Sequence, residues 1–144
     1  GKCLAEKFAG VKPDIIVAPA LGGLIIGHEV AAAMGLRFVF TERKEGVMTL
    51  RRGFQIEPGE KVIIIEDVIT TGKSTAEVVA VVESLGGKIA GIGCLANRST
   101  QKLDLPMQPE SLLRLSFDNW APEDCPLCKQ GIPLQSPGSR FSAK

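Results

Sequence analysis

The sequence predicts an α/β fold in which a mainly parallel central sheet is flanked by helices. Short apolar runs rich in β-branched residues alternate with segments of helical periodicity, and this order is typical of parallel sheets. The apolar runs are nearly continuous rather than alternating, which indicates strands that are buried on both faces. The connections between most of these segments are short, as is usual in compact α/β units.

The first half of the chain contains two predicted strands and one predicted helix. Asp14 to Ala20 is a buried strand, Leu24 to Met34 is a helix that ends at a glycine, and Arg37 to Phe40 is a second short strand. Thr41 to Gly53 is polar and lacks a clear period, so we expect a mobile loop there. Phe54 to Ile56 is predicted to add a minor strand.

The second half is organised around the most apolar strand. Lys61 to Glu66 forms this strand, Asp67 to Lys73 is the loop after it, and Ser74 to Leu85 is an amphipathic helix. A serine at the start of this helix and a glutamate three residues later predict a capping box. Lys88 to Leu95 and Leu112 to Phe117 complete the predicted strands.

Composition and charge argue against several classes of protein. Of 144 residues, 44% are hydrophobic and 23% are charged, and the formal net charge is +1. Such a balance gives no general attraction to nucleic acid or to anionic membranes. No apolar run approaches the roughly 20 residues that a membrane helix needs. From the balanced charge and the short apolar runs we expect neither nucleic-acid nor membrane partners. Four cysteines are too few for a disulfide scaffold, so we expect a cytoplasmic protein.

We expect a core domain at residues 1–120 and a tail at residues 121–144. The tail has four prolines, two glycines and no clear period. At the other end, Leu4, Phe8 and Val11 already follow helical spacing. The sequence therefore begins inside a predicted helix, and we expect a further segment to precede it.

The segment from Val62 to Ser74 carries the clearest functional pattern. A buried strand ends in Glu66 and Asp67, and a Thr-Thr-Gly loop leads directly into a helix. Ligands of open α/β sheets bind beyond the carboxyl ends of the strands, and the N–H groups at a helix N-terminus favour phosphate. Because carboxylates repel phosphate, they would serve sugar hydroxyls, a cation or a developing positive charge. A phosphorylated ribose that reacts at its anomeric carbon fits all of these.

Two other interpretations of this segment are weaker. Gly72-Lys73-Ser74 is similar to the end of a P-loop, but that motif needs a glycine five residues before Gly72, where the chain has Asp67. A strand, a polar turn and a capped helix without any ligand would be the simplest explanation of a lone Thr-Thr-Gly turn. Four branched apolar residues followed by two carboxylates argue against it.

Several segments resemble the type I phosphoribosyltransferases, and the orotate enzymes among them in particular. The family's signature for phosphoribosyl pyrophosphate (PRPP) is similar to Glu66-Asp67-Val68-Ile69-Thr70-Thr71-Gly72. The pyrophosphate loop resembles Val17 to Gly23, and the flexible catalytic loop resembles the segment that opens with Arg43-Lys44-Glu45. An arginine that binds the substrate carboxylate corresponds to Arg98 in Ala96-Asn97-Arg98.

The resemblance implies a phosphoribosyltransferase fold, transfer of phosphoribosyl from PRPP to orotate, and specific residue roles. The candidate catalytic residues are Asp67, Glu66 and Lys44, and Mg²⁺ of Mg–PRPP would lie near the two carboxylates. The candidate PRPP-binding residues are Arg43, Lys44, Glu66, Asp67, Val68, Ile69, Thr70, Thr71, Gly72, Lys73 and Ser74. The candidate pyrophosphate loop is Ala20, Leu21 and Gly22, and the candidate orotate-binding residues are Thr70 and Arg98.

The sequence also departs from this family. The orotate enzymes carry an N-terminal segment before the matching region, and many have a further lysine and a histidine in the flexible loop. Here the corresponding loop has Arg51 and Arg52 and no histidine, and Leu21-Gly22 stands where many relatives have a lysine. The flexible loop of the family serves the neighbouring subunit, so the resemblance implies a homodimer.

The tail carries a separate pattern. The stretch from Cys125-Pro126-Leu127-Cys128 through Pro137 to Arg140 resembles the C-terminus of one bacterial subgroup of orotate enzymes. The two cysteines also resemble half a zinc ribbon, whereas a closed zinc site needs four ligands. Zinc at Cys125 and Cys128 and a structural, unpaired role both stay open.

Three other functions stay open at this point. A phosphoribosyltransferase for a purine or another base would differ in its base specificity. A non-catalytic PRPP-binding regulator would usually add a nucleic-acid-binding domain or a basic face, and neither is visible in the sequence. An inactive part of the enzyme would bind without turnover.

Overall fold

The structure, a computed structural model, describes residues 1–118, 120–121 and 123–133. Its strands are β1 (Ile15–Pro19), β2 (Arg37–Lys44), β3 (Val47–Leu50), β4 (Lys61–Ile69), β5 (Lys88–Asn97) and β6 (Glu110–Arg114). Its helices are α1 (Lys2–Glu6), α2 (Gly23–Met34), α3 (Lys73–Ser84) and α4 (Pro126–Lys129). Within the described residues the strands form one sheet in the order β3-β2-β1-β4-β5-β6. All neighbours are parallel except β2 and β3, which confirms the predicted sheet.

Helices cover both faces of the sheet. Alternate residues of a strand point to opposite faces. In β4, Ile63 and Ile65 pack with α1 and α2, whereas Val62 and Ile64 pack with α3. All four side chains are fully buried, and each contributes about 1.5–3 kcal/mol by leaving water. A strand that is apolar on both faces belongs in the centre of the sheet, where β4 lies.

Most of the segment from Thr41 to Gly53 forms a β-hairpin, so the prediction that it lacks regular secondary structure is wrong. β2 extends to Lys44, and β3 returns antiparallel to it. The turn consists of Glu45 and Gly46, whose φ values of 52° and 84° are both positive, as a two-residue type I′ turn requires. The hairpin is not apparent from the sequence, because Met48 is the only buried residue of β3 and no apolar alternation is visible.

β4 is longer than predicted. It continues past Glu66 and Asp67 and ends at Ile69, because Val68 and Ile69 still pair with β5. The loop after it is therefore shorter than predicted and comprises residues 70–72. Both carboxylates belong to a strand, which directs their side chains to opposite faces of the sheet.

The start of α3 also differs from the prediction. The capping box of Ser74 and Glu77 is wrong, because no side chain caps this end of the helix within the described part of the chain. Gly72 is the N-cap, and Glu77 instead forms an ion pair with Arg43 of the hairpin. The first N–H groups of α3 therefore face the loop.

The other predicted elements are present with shifted bounds. Phe54 to Ile56 is irregular rather than a strand, β5 extends beyond Leu95, and β6 begins and ends earlier than predicted. α4 is a short helix in the tail, where the sequence predicts none. Within the described ranges, no helix is both long enough and apolar enough to cross a membrane.

Candidate functional site

The two carboxylates at the end of β4 serve opposite sides of the strand. Glu66 is 7% exposed and lines a cavity with the start of α3. Asp67 is half-buried and lies against Gly22, just before α2. A Cβ atom added to Gly22 would stand 2.6 Å from Cγ of Asp67, which is closer than van der Waals contact allows. The two carboxylates therefore face different loops: Glu66 faces the loop before α3, and Asp67 faces the loop before α2.

The loop at residues 70–72 and the first turn of α3 enclose a polar cavity of about 110 Å³. Its lining consists of Glu66, Val68, Ile69, Thr70, Thr71, Gly72, Lys73, Ser74 and Thr75. The φ of Gly72 is 73°, a left-handed conformation that glycine adopts easily and that turns the chain into the helix. Because the first N–H groups of a helix have no intrahelical partner and carry partial positive charge, the cavity suits an anion.

The predicted pyrophosphate loop, Ala20 to Gly22, connects β1 to α2 beside Asp67. The backbone N–H of Ala20 donates to the carbonyl oxygen of Thr41 at 2.7 Å, which ties this loop to β2. The peptide bond between Ala20 and Leu21 is cis, and the Leu21 side chain is largely exposed. Since β1 and β4 are parallel neighbours, this loop and residues 70–72 leave the same edge of the sheet.

The hairpin holds Arg43 against a carboxylate. Arg43 forms an ion pair with Glu77 of α3, and Nη1 of the same guanidinium donates to the carbonyl oxygen of Gly46 at 3.0 Å. Lys44 is exposed at the end of β2. Both cations lie outside the lining of the anion cavity. The structure therefore does not bring Arg43 and Lys44 together with the residues of loop 70–72.

A second carboxylate, Glu42 of β2 in the hairpin itself, forms ion pairs with two further arginines. Arg51 and Arg52 donate to the Glu42 carboxylate at 3.0 and 2.9 Å. The hydrogen bond from Arg52 is the largest cause that holds the pKa of Glu42 below its usual value, and the charges of both arginines add to it. Sequence reasoning missed the ion pairs of Glu42 and Glu77 with arginines, because a partner distant in the chain leaves no local pattern.

Arg98 lies beside the end of β4. Its backbone N–H donates to the carbonyl oxygen of Ile69 at 2.7 Å, which places it next to Thr70. Its guanidinium carbon stands 4.8 Å from the centre of the Phe117 ring, within cation–π distance. Nε of Arg98 is buried and has no hydrogen-bond partner among the residues that the structure describes. Sequence reasoning missed the contact of Phe117 with Arg98, in which the ring covers one side of this guanidinium.

A second cavity, of about 240 Å³, adjoins the first. Thr70 and Thr71 belong to both linings, and residues 99–104 complete the second one. Asn97 shapes this wall, because its buried Oδ1 accepts hydrogen bonds from the N–H and hydroxyl groups of Ser99 at 2.9 and 2.7 Å. Thr70 therefore lies between an anion cavity and a larger cavity of mixed polarity.

The two cysteines of the tail lie at α4. Cys125 is the N-cap of this helix, Cys128 lies within it, and both are half-buried. Across the described ranges, no group of three or more His, Cys, Asp and Glu side chains is placed to hold a metal ion. The structure thus does not complete a four-ligand zinc site around Cys125 and Cys128. Pro137 to Arg140, which carry part of the tail resemblance, lie outside the described residues.

The fold and the site define an α/β protein with an anion cavity and two carboxylates at the carboxyl edge of a parallel sheet. This is the arrangement expected for a phosphorylated sugar ligand. The chain belongs to the phosphoribosyl transferase domain family, whose model matches residues 2–128.

Relatives and solved structures agree with this assignment. The chain is 54% identical to an orotate phosphoribosyltransferase of Pelotomaculum thermopropionicum and 50% identical to one of Caldanaerobacter subterraneus. Each match covers 95% of this chain and 72% of the relative. The chain is also similar to the crystal structure of a purine phosphoribosyltransferase from Pyrococcus horikoshii, with 30% sequence identity and a TM-score of 0.63. This match covers 78% of each chain. The predicted phosphoribosyltransferase fold is confirmed.

Proposed function

We propose that this protein is a pentosyltransferase that moves the phosphoribosyl group of PRPP to orotate. The products are orotidine 5′-monophosphate and pyrophosphate, in the synthesis of pyrimidine nucleotides. The observation that carries the proposal is the 54% identity to an orotate phosphoribosyltransferase over 95% of the chain. The site supports it, because an anion cavity, two carboxylates and an arginine next to Thr70 meet at one edge of the sheet.

PRPP would bind across the end of β4. The N–H and hydroxyl groups of residues 70–74 suit its 5′-phosphate, and the carboxylates of Glu66 and Asp67 suit the hydroxyls of its ribose. Glu66 is buried on the side of the anion cavity, whereas Asp67 meets the loop at Gly22 on the other side. The ribose would therefore lie over the strand end, between the two loops.

The acidic pair also serves the chemical step. As the bond from ribose C1 to pyrophosphate breaks, the ribose gains positive charge, and the ring nitrogen of orotate attacks C1 from the opposite face. The negative potential of Glu66 and Asp67 stabilises that charge without rearrangement, because both carboxylates are already in place. The loop from Ala20 to Gly22 lies beside Asp67, where the leaving pyrophosphate would stand, and Arg43 and Lys44 would supply it with positive charge.

Magnesium is the metal that this donor set fits. Glu66 and Asp67 offer hard carboxylate oxygens, and in the described part of the chain no cluster of three or more potential ligands is found. Mg²⁺ typically binds through one or two carboxylates together with substrate phosphates rather than in an all-protein cage. Mg–PRPP is therefore the expected substrate, and bound Mg²⁺ would neutralise charge on the pyrophosphate.

Arg98 would recognise the carboxylate of orotate. A guanidinium binds a carboxylate through paired hydrogen bonds of matching geometry. Phe117 covers one side of the Arg98 guanidinium, so a ligand approaches its edge or its other side. Thr70, which lines both cavities, would contact the orotate ring where the ribose and the base meet.

The proposal includes a cytoplasmic homodimer in which the hairpin acts in the neighbouring subunit. The positions of Arg43 and Lys44 support this, because both lie outside the cavity lining of their own subunit. The formal net charge of +1 gives no reason to add a nucleic acid or a membrane as a partner.

Orotate consumption, followed by ultraviolet absorbance, tests the proposal. The chain is incubated with PRPP and Mg²⁺, and adenine, guanine, xanthine and uracil replace orotate in parallel reactions. Loss of orotate that requires both PRPP and Mg²⁺ supports the proposed reaction. If no base reacts, calorimetric titration with PRPP decides between a non-catalytic PRPP-binding regulator, which binds, and a chain without a functional site, which does not.

A purine is the second candidate acceptor. The 30% identity to a purine phosphoribosyltransferase over 78% of both chains favours it. Arg98 argues against it, because a neutral purine has no carboxylate to pair with this guanidinium. Turnover of adenine or guanine without turnover of orotate would establish the purine assignment.

A further inference from the structure

Cys125 and Cys128 form a pair of thiols that phosphoribosyl transfer does not use. Both are half-buried, so solvent reaches them. The backbone N–H of Cys128 donates to Sγ of Cys125 at 3.4 Å. This hydrogen bond makes the Cys125 side chain the N-terminal cap of α4. Cys125 therefore accepts a hydrogen bond from the residue that carries the second thiol, and the two cysteines lie on the same turn of the chain.

This arrangement makes the two thiols chemically unequal. Hydrogen bonding from Cys128 lowers the pKa of Cys125, whereas the interaction with the Cys125 side chain raises the pKa of Cys128. The thiolate is the form that attacks a disulfide. Cys125 is therefore suited to attack first, and Cys128 stands next to it as the second thiol.

We propose that Cys125 and Cys128 form a thiol–disulfide exchange site that accepts low-molecular-weight disulfides as its reactant. The Cys125 thiolate attacks one sulfur of the small disulfide, which releases one small thiol and forms a mixed disulfide. Cys128 then loses its proton and attacks Sγ of Cys125, which releases the second small thiol. The cysteine pair is oxidised by two electrons, and the small disulfide is reduced to two thiols.

The local geometry permits the bond between the two cysteines. Side chains three positions apart on a helical turn have Cβ atoms about 5–6 Å apart, whereas a disulfide needs about 3.5–4.5 Å. α4 is four residues long and none of its residues is buried. The small shift that closes the bond therefore disturbs no core packing.

The chain contains its own controls. Cys3 is exposed, but its sequence neighbours Lys2 and Leu4 carry no thiol, so an adduct there has no adjacent cysteine to resolve it. Cys94 is fully buried, and burial raises its pKa to about 11, which keeps it protonated and inaccessible. The proposal does not depend on the proposed phosphoribosyl transfer.

Oxidised glutathione tests the proposal on the full chain. After incubation, free thiols are alkylated and peptides are mapped by mass spectrometry. Wild type should contain a bond between Cys125 and Cys128, an unresolved adduct on Cys3 and an unmodified Cys94. Cys128→Ser should trap glutathione on Cys125, and Cys125→Ser should slow adduct formation at Cys128 several-fold relative to Cys125 in Cys128→Ser.

Three results would overturn the proposal. One is a glutathione adduct that persists on Cys125 in the wild type. Another is a Cys128→Ser variant in which Cys125 reacts no faster than Cys3 at neutral pH. The last is zinc held by the cysteine pair in native mass spectrometry and lost in Cys125→Ser, because ligated sulfurs are not available for exchange.

Discussion

The end of β4 and the β2–β3 hairpin bring opposite charges to one edge of the sheet, and they are built differently. Glu66 belongs to a strand whose preceding residues are fully buried, so the backbone fixes its position. Arg43 lies on an exposed stretch and is fixed by an ion pair with Glu77. Exposed ion pairs contribute only about 0–1 kcal/mol. The proposed sugar and phosphate site is thus built on the buried sheet, whereas the hairpin cations can exchange partners.

The largest effect is expected at the strand end. Asp67→Asn keeps the size of the side chain and removes its charge, so turnover should fall by about 10²- to 10³-fold, as for other preorganised electrostatic groups. The melting temperature should change little. Steady-state rates of orotate consumption measure the effect. Asp14→Asn is the matched control, because Asp14 accepts from Lys61 N–H at the opposite end of β1. Near-normal turnover in Asp67→Asn would remove this residue from the site.

The loop opposite Asp67 should be the next most sensitive place. Gly22→Ala places a Cβ atom against the Asp67 carboxylate and pushes the two apart. Displacement of a reacting group by about 1 Å can cost up to about 10²-fold in rate, so we expect a tenfold to hundredfold loss of kcat/KM for PRPP. Gly10→Ala is the control, since no atom lies within 4 Å of its added Cβ. Equal activity of both variants would contradict the placement of this loop.

Base recognition should depend on Arg98 and, to a smaller extent, on Phe117. Hydrogen bonds to a charged group contribute about 1.5–3 kcal/mol, so Arg98→Ala should raise KM for orotate by roughly 10- to 150-fold and leave KM for PRPP unchanged. Loss of the cation–π contact, of about 0.5–1 kcal/mol, predicts a twofold to fivefold increase for Phe117→Leu.

Initial-rate kinetics with each substrate varied in turn separate these effects. Phe54→Leu is the control for Phe117→Leu, because Phe54 makes an edge-to-face contact with Phe40 and none with Arg98. If Arg98→Ala raises KM for PRPP instead, Arg98 belongs to the PRPP site and the orotate assignment of this residue is wrong.

The smallest effect is expected in the hairpin. Glu77→Gln weakens the ion pair that holds Arg43, so Arg43 becomes available to pyrophosphate and KM for PRPP should fall twofold to fivefold, within the roughly 1 kcal/mol of an exposed pair. The difference should fade at high salt. Glu83→Gln, an exposed carboxylate near the other end of α3, is the control. A higher KM for PRPP in Glu77→Gln would show that Arg43 works from its present position.

The sequence predicts the central features of the molecule because they are local. Four consecutive branched residues and two carboxylates, followed by a Thr-Thr-Gly loop, predict β4, the acidic pair and a helix after the loop within one segment. The end of β4 and the capping of α3 were not predicted, because they depend on pairing with β5 and on the ion pair of Glu77 with Arg43. The hairpin escapes prediction because its strand β3 buries little. The contacts of Asp67 with Gly22, of Arg43 with Glu77 and of Arg98 with Phe117 escape because they join distant parts of the chain.

The central claim is that PRPP binds across the end of β4, with its 5′-phosphate at residues 70–74. A crystal structure of the chain with Mg–PRPP tests this most directly. The account predicts the 5′-phosphate in the cavity at the start of α3 and the ribose hydroxyls within hydrogen-bond distance of Glu66 or Asp67. A 5′-phosphate found elsewhere, such as in the polar cavity that Lys102 and Arg114 line, would contradict it.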